Sequence, residues 1–210
     1  MLASFPAKPY FSRQEAAMEI DNLLESYPKT VTLRDGKSAV LRPLEHNDVK
    51  AFHEFFSTIP ENERLFMKSR VTDLDVIRAW CRNIDYTRNL PLLALQGTKI
   101  IADATLHQQQ GGWKRHIGRV SVVVQPQSRG KGLATILLKE LIEVARHLGL
   151  ERLEAEFLGE QKAARTICAE LGFNDLVILE DYVKDMQAIS HDYVLMGKRI
   201  ITDEEFAGAE

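Results

Sequence analysis

The chain has 210 residues, 45% hydrophobic and 27% charged, which suits one domain of ordinary size with a terminal extension and a well-buried core. A net charge of −3 disfavours a non-specific nucleic-acid binder, because such a protein needs an excess of Lys and Arg to displace counterions from phosphates. No apolar run reaches the roughly 18–20 residues that cross a bilayer, and two cysteines, Cys81 and Cys168, make no disulfide framework.

Residues 13–27 have helical spacing. Ser12 and Glu15 stand in capping-box relation, Ala16, Ile20, Leu23 and Leu24 form one stripe, and Pro28 ends it. Two extended runs follow, Val31–Arg34 and Ala39–Leu44, with Asp35-Gly36 between them as a hairpin signal. From Asn47 to Phe66 the period is helical (Val49, Phe52, Phe56, Ile59) and Pro60 breaks it. Asp73 or Asp75 can cap a further helix to about Asn83 with Val76, Ile77 and Trp80 inward. Strand periodicity then takes over at Pro91–Gln96, Lys99–His107 and Ile117–Val124, as an antiparallel meander. A polar link, Gln125–Arg129, leads to a long amphipathic helix over Gly132–His147. It is followed by a strand at Arg152–Leu158, a helix at Gln161–Leu171 and a last strand at Tyr193–Arg199. Strand, helix and strand in succession predict a parallel pair.

The link between Val124 and the long helix carries the chemistry. A helix N-terminus presents unpaired N–H groups and partial positive charge, and so attracts phosphate. Gly130 and Gly132 let an anion approach the backbone, and Arg129 and Lys131 add mobile positive charge. The stretch is neither a Walker loop nor a dinucleotide fingerprint. On Arg152–Leu158, Glu154 and Glu156 share one face opposite Leu153, Ala155 and Phe157, and Arg119 and Ser121 lie opposite Val120, Val122 and Val124. Carboxylates on a central strand imply that this face opens onto water or a cleft. Glu156, paired with Arg119, is a candidate base or amine anchor there. His107 and His116 flank the Gly111-Gly112 turn as surface polar residues that can face each other, beside Trp113.

Gln127-x-x-Gly130-x-Gly132 resembles the Q/R-x-x-G-x-G/A signature of the GNAT acyltransferase superfamily. "VLRPL" from Val40 with Asp48, "AELGF" from Ala169, and "YVLMGKRI" from Tyr193 resemble that family's first strand, the close of its helix after the fifth strand, and its last strand. The resemblance implies an α/β fold with a single mixed, mostly antiparallel sheet, a splayed parallel central strand pair, and helices on both faces. Its expected boundaries are an N-terminal helical extension (1–30), the acyltransferase domain (31–200) and a polar tail (201–210). It implies acetyl-CoA as acyl donor, with no metal. Val122, Val123 and Val124 would hold the pantetheine arm, with one amide polarising the thioester carbonyl. Gln127, Ser128, Arg129, Gly130, Lys131, Gly132, Leu133, Ala134 and Thr135 would cradle the pyrophosphate. Gln161 replaces an Asn that often contacts the cofactor.

Two departures bear on catalysis. The family's Tyr proton donor aligns with Cys168, a candidate acid that also reads as a core residue. Bacterial GNAT protein-lysine acetyltransferases, which the segment also resembles, place their catalytic Glu where Arg119 stands. Tyr182 and Tyr193 are stand-in donors. The expected activity is transfer of an acetyl group to an amine, on a small molecule or a protein, by direct attack in a ternary complex. An acyl-CoA-sensing module with weak turnover is the alternative. A cytoplasmic location and a homodimer are further expectations, with no nucleic-acid or membrane partner.

Overall fold

The computed structural model describes residues 13–67 and 69–200. The capping contact expected of Ser12 and the tail from residue 201 lie outside them. Eight strands form one sheet: β1 (Lys29–Thr32), β2 (Ser38–Pro43), β3 (Asn89–Gln96), β4 (Lys99–His107), β5 (Ile117–Val124), β6 (Arg152–Leu158), β7 (Asn174–Lys184) and β8 (Ser190–Arg199). Their order across the sheet is β1-β2-β3-β4-β5-β6-β8-β7. Only β5 and β6 pair in parallel; the other neighbours are antiparallel. The mixed sheet with its parallel central pair is therefore as the sequence implies.

Alternation along the strands divides the core in two. Leu90, Leu92, Ala94, Ala102, Ala104, Leu106, Val120, Leu153 and Ala155 pack with the long helix α5 (Leu133–His147), whose stripe of Leu133, Leu137, Leu138, Leu141, Val144 and Ala145 is buried. On the other face Leu93, Leu95 and Ile100 meet Phe52, Phe55 and Phe56 of α2 (Val49–Ser57) and Ile77 and Cys81 of α4 (Leu74–Arg82). Helical spacing puts Trp80 inward, but it lies at the rim, 37% exposed, with its ring tilted against Phe52 and Phe56; Cys81, four residues beyond Ile77, takes the inner position. Asp73 caps α4 by accepting from the Asp75 amide at 2.9 Å.

α1 (Arg13–Leu24) packs on the α5-side core through half-buried Leu23 and Leu24, its Ile20 is buried, and Glu19 lies 3.5 Å from His147 at the end of α5. Just after α1, the Tyr27 hydroxyl donates to Glu140 at 2.7 Å. Pro60 separates α2 from the single turn α3 (Glu61–Arg64). Arg42 grips Asp48 with two hydrogen bonds of 2.7 Å, tying β2 to the start of α2. α6 (Lys162–Glu170) returns to the α5 face, where Cys168 and Phe173 are buried. β7 is a strand that sequence pattern does not signal.

Candidate functional site

The site begins where the parallel pair comes apart. β5 and β6 are in register at Ile117 with Arg152, Gly118 with Leu153, and Arg119 with Glu154, and no further. Gly118 leaves room for the leucines packed over this pair, since a Cβ there would lie 2.9 Å from the side chains of Leu106 and Leu150. Beyond Arg119, β5 stays paired with β4 as far as Val124, and β6 stays paired with β8 as far as Leu158. Each keeps its outer neighbour while the inner edges separate. A strand edge without a partner offers N–H and C=O groups to any extended group that enters the gap.

At the end of β5 the chain makes a 3-10 turn, Pro126–Ser128, and then two left-handed glycine steps, Gly130 (φ 75°) and Gly132 (φ 85°). The Lys131 carbonyl accepts from the Arg34 amide at 3.0 Å, which fixes the loop against the β1–β2 turn. The first helical bond of α5 runs from the Ile136 amide to the Gly132 carbonyl at 3.0 Å. Among the described residues the amides of Gly130 through Thr135 therefore donate to nothing. A Cβ on Gly130 would meet no atom within 4 Å, so the space over the turn is open. A free row of amides at a helix start under open space fits a pyrophosphate.

The loop's cations are held more firmly than their mobile side chains suggest from sequence. Arg129 makes a bidentate pair with Glu63 of α3, at 2.9 and 2.6 Å, and its Nε donates to the Val124 carbonyl at 3.1 Å. Lys131 pairs with Asp35 at 3.4 Å. Ser128 is buried, its hydroxyl accepting from Gln125 at 3.2 Å, so its side chain lies behind the loop. The Gln161 side-chain oxygen accepts from the Leu158 amide at 2.9 Å and closes the end of β6. The backbone, more than the charged side chains, forms the cradle.

Beside the gap, register gathers polar side chains on the face opposite α5. Asn89, His107, Arg119 and Glu154 are successive cross-strand partners from β3 to β6. Arg119 reaches Glu156 at 3.4 Å, the pairing expected from strand period, and Lys114 reaches Glu154 at 3.2 Å. The Tyr193 phenol is pushed up to about 12 by burial and by the charge of Glu156 beside it, so it stays protonated at neutral pH. His107 does not face His116; its ring lies between Asn89 and Ser121. Trp113 stands in solvent, 89% exposed. Cys168 is 1% exposed in the α5-side core, and burial pushes its thiol up to about 11. A thiol so placed acts as a small apolar side chain.

Two residues of this face, Asn89 and Asp103, are not singled out by sequence pattern. Asp103 lies on β4 between Leu93 and Val123, buried, with the Thr105 hydroxyl at 3.4 Å; burial pushes its carboxyl up to about 7. The available signal is a lone carboxylate inside the apolar run IIADATL.

A sheet split between two parallel strands, next to an anion-ready helix start, defines the acyltransferase class that the Gln127–Gly132 motif resembles. The family model described as Acetyltransferase (GNAT) domain matches residues 39–174, and the chain belongs to that family. It is 26% identical to Acetyltransferase PA5475 of Pseudomonas aeruginosa over 171 residues, 75% of this chain and 83% of the relative. The fold is similar to the GNAT domain of S. lividans PAT (TM-score 0.68, 19% identity, covering 82% of this chain and 96% of that one). It is also similar to yncA of Salmonella typhimurium, whose structure holds its cofactor acetyl-CoA (TM-score 0.65, 20% identity, 78% and 94%). Among the described residues no helix is long and apolar enough to cross a membrane.

Proposed function

We propose that the protein transfers the acetyl group of acetyl-CoA to an amine by direct attack within a ternary complex. The observation that carries this is the free row of amides from Gly130 to Thr135, placed at the mouth of the gap between β5 and β6. The amides bind the donor's phosphates. The inner edge of Val122–Val124 takes the extended arm between, and an amide there faces the oxygen on which negative charge develops. The amine approaches from the face lined by Arg119, Glu154 and Glu156.

Glu156 serves as the amine anchor. It is half-buried, 3.4 Å from Arg119 and beside the Tyr193 phenol, on the face from which the amine approaches. Glu156→Gln is expected to raise KM for the amine about tenfold, the worth of one exposed charge-assisted contact, with kcat within about a factor of three. Steady-state kinetics with saturating acetyl-CoA checks this. Unchanged KM and kcat across the pH range would remove Glu156 from the site.

The test of the whole reading is calorimetry with coenzyme A, followed by release of free thiol from acetyl-CoA in the presence of a panel of primary amines. Heat of binding and amine-dependent thiol release are expected. Acyl-CoA sensing is the second reading, favoured by Cys168 and Arg119 at the family's acid and base positions. It predicts binding with no amine-dependent release.

A further inference from the structure

Three side chains on the acceptor face are connected in a way that no sequence motif signals. His107 Nδ1 lies 2.7 Å from the Asn89 side-chain oxygen, and His107 Nε2 lies 3.2 Å from the Ser121 hydroxyl. An amide oxygen only accepts, so the proton of the neutral ring sits on Nδ1. Nε2 then presents its lone pair to the Ser121 O–H. The strands impose this alignment. Asn89 and His107 are direct partners across β3 and β4, and Ser121 lies one step diagonally from His107 on β5, exposed on the open face next to Val122.

We propose that Ser121 is the residue that meets the acceptor amine, and that His107, positioned by Asn89, is the base that takes the amine's proton through it. This rests on the acetyl-transfer reading above and supplies the base which Arg119 does not. The ammonium gives a proton to the Ser121 oxygen as the Ser121 proton passes to Nε2, forming the imidazolium. The freed amine attacks the thioester carbon, the C–S bond breaks, and the sulfur leaves with the electron pair. The second proton, lost from nitrogen after attack, ends on that sulfur; the imidazolium returns the first to solvent.

The charges around the ring are arranged in pairs. Arg119, directly across from His107, is paired with Glu156, and Glu154 with Lys114, while Asp103 lies on the same face of β4 as His107, beyond Thr105. Burial pushes the Asp103 carboxyl up to about 7, so it titrates in the same range as the ring, and the Asn89→Asp displacement, made at the ring's own partner, assigns the acid limb to His107.

The experiment uses the full chain, acetyl-CoA and a primary amine identified by thiol release. His107→Gln and Ser121→Ala are expected to lower kcat/KM about 100-fold near neutral pH, the usual worth of a positioned base, and to recover as rising pH deprotonates the amine in solution. Coenzyme A affinity stays unchanged in both. Asn89→Asp, which puts a carboxylate beside the imidazolium, moves the acid limb of the profile up by about one pH unit. A structural hydrogen bond would not produce that displacement. If the variants turn over the amine with the wild-type pH profile, the relay is overturned and the transfer reading stands. If coenzyme A binds but no amine is acetylated by the wild type, both fall.

Discussion

Gly130→Val is expected to weaken coenzyme A binding about 100-fold or more, the worth of one or two charge-assisted hydrogen bonds to phosphate. The position sits at φ 75°, where an L side chain is strained, and its missing Cβ leaves open space over the amides that begin α5. A branched side chain would occupy the ground that a phosphate oxygen must enter, and would also disfavour the turn that aims the amides. Gly132 is the less clean test, because a Cβ there would come within 3.3 Å of the Arg34 side chain and packing would change as well.

Strain alone has to be separated from lost binding. Gly97, in the β3–β4 turn, is also left-handed (φ 61°), a Cβ there would meet nothing within 4 Å, and that turn carries none of the amides that begin α5. Gly97→Val is therefore expected to cost about 1–2 kcal/mol of stability, as an ordinary residue forced into this region does, with coenzyme A affinity intact. Calorimetry and thermal unfolding on the two variants make the comparison. Full affinity in a folded Gly130→Val protein would leave the helix start without its assigned ligand.

The parts of the site that can be read from sequence are those held within one element. Gly130 and Gly132 stand immediately before a wide apolar stripe, so turn and helix start are visible together. The period of two on Arg152–Leu158 places Glu154 and Glu156 on one face, and period on β5 places Arg119 with them, which is why their pairing is legible. What depends on register between distant strands is not. Asn89, His107 and Ser121 meet only because β3, β4 and β5 are aligned as they are, and β3 and β4 shift against each other at Ala94 and Leu95. β7 is hidden for a different reason. Its pairing with β8 slips between Asp175 and Val177 and again between Leu179 and Val183, so NDLVILEDYVK shows no clean alternation. As an edge strand it also leaves Leu176, Ile178 and Tyr182 exposed, contrary to the inward pattern by which strands are recognised. Trp80 misleads in the simplest way: a large aromatic on an amphipathic helix need not be its innermost residue.

Asp103→Asn is expected to stabilise the protein at and above neutral pH, by on the order of a few kcal/mol, against the usual direction of a core substitution. The carboxyl lies among Leu93, Val123 and the aromatic side of the sheet, with the Thr105 hydroxyl at 3.4 and 3.5 Å from its two oxygens. Burial disfavours the charged form, and its pKa rises from 3.8 to about 7. Between those two values the native chain keeps a proton that the unfolded chain has released, so stability falls as pH rises through that window and levels off above it. Below it both states are protonated and the group is neutral to stability. An Asn has nearly the same shape and no charge, so the variant lacks this slope. Denaturant unfolding of both proteins at a series of pH values reads it directly as a stability difference that is small in acid, grows across the window, and is constant beyond. A difference independent of pH would mean that Asp103 has the same pKa in the native and the unfolded chain. A carboxylic acid kept at such cost on the face opposite α5, directly across from Val123, is also where a stabilising change is expected to lower turnover, because groups with shifted pKa values concentrate where chemistry needs them. Measuring kcat on the same variant joins the two halves of the argument: gain in stability and loss of rate from a single oxygen.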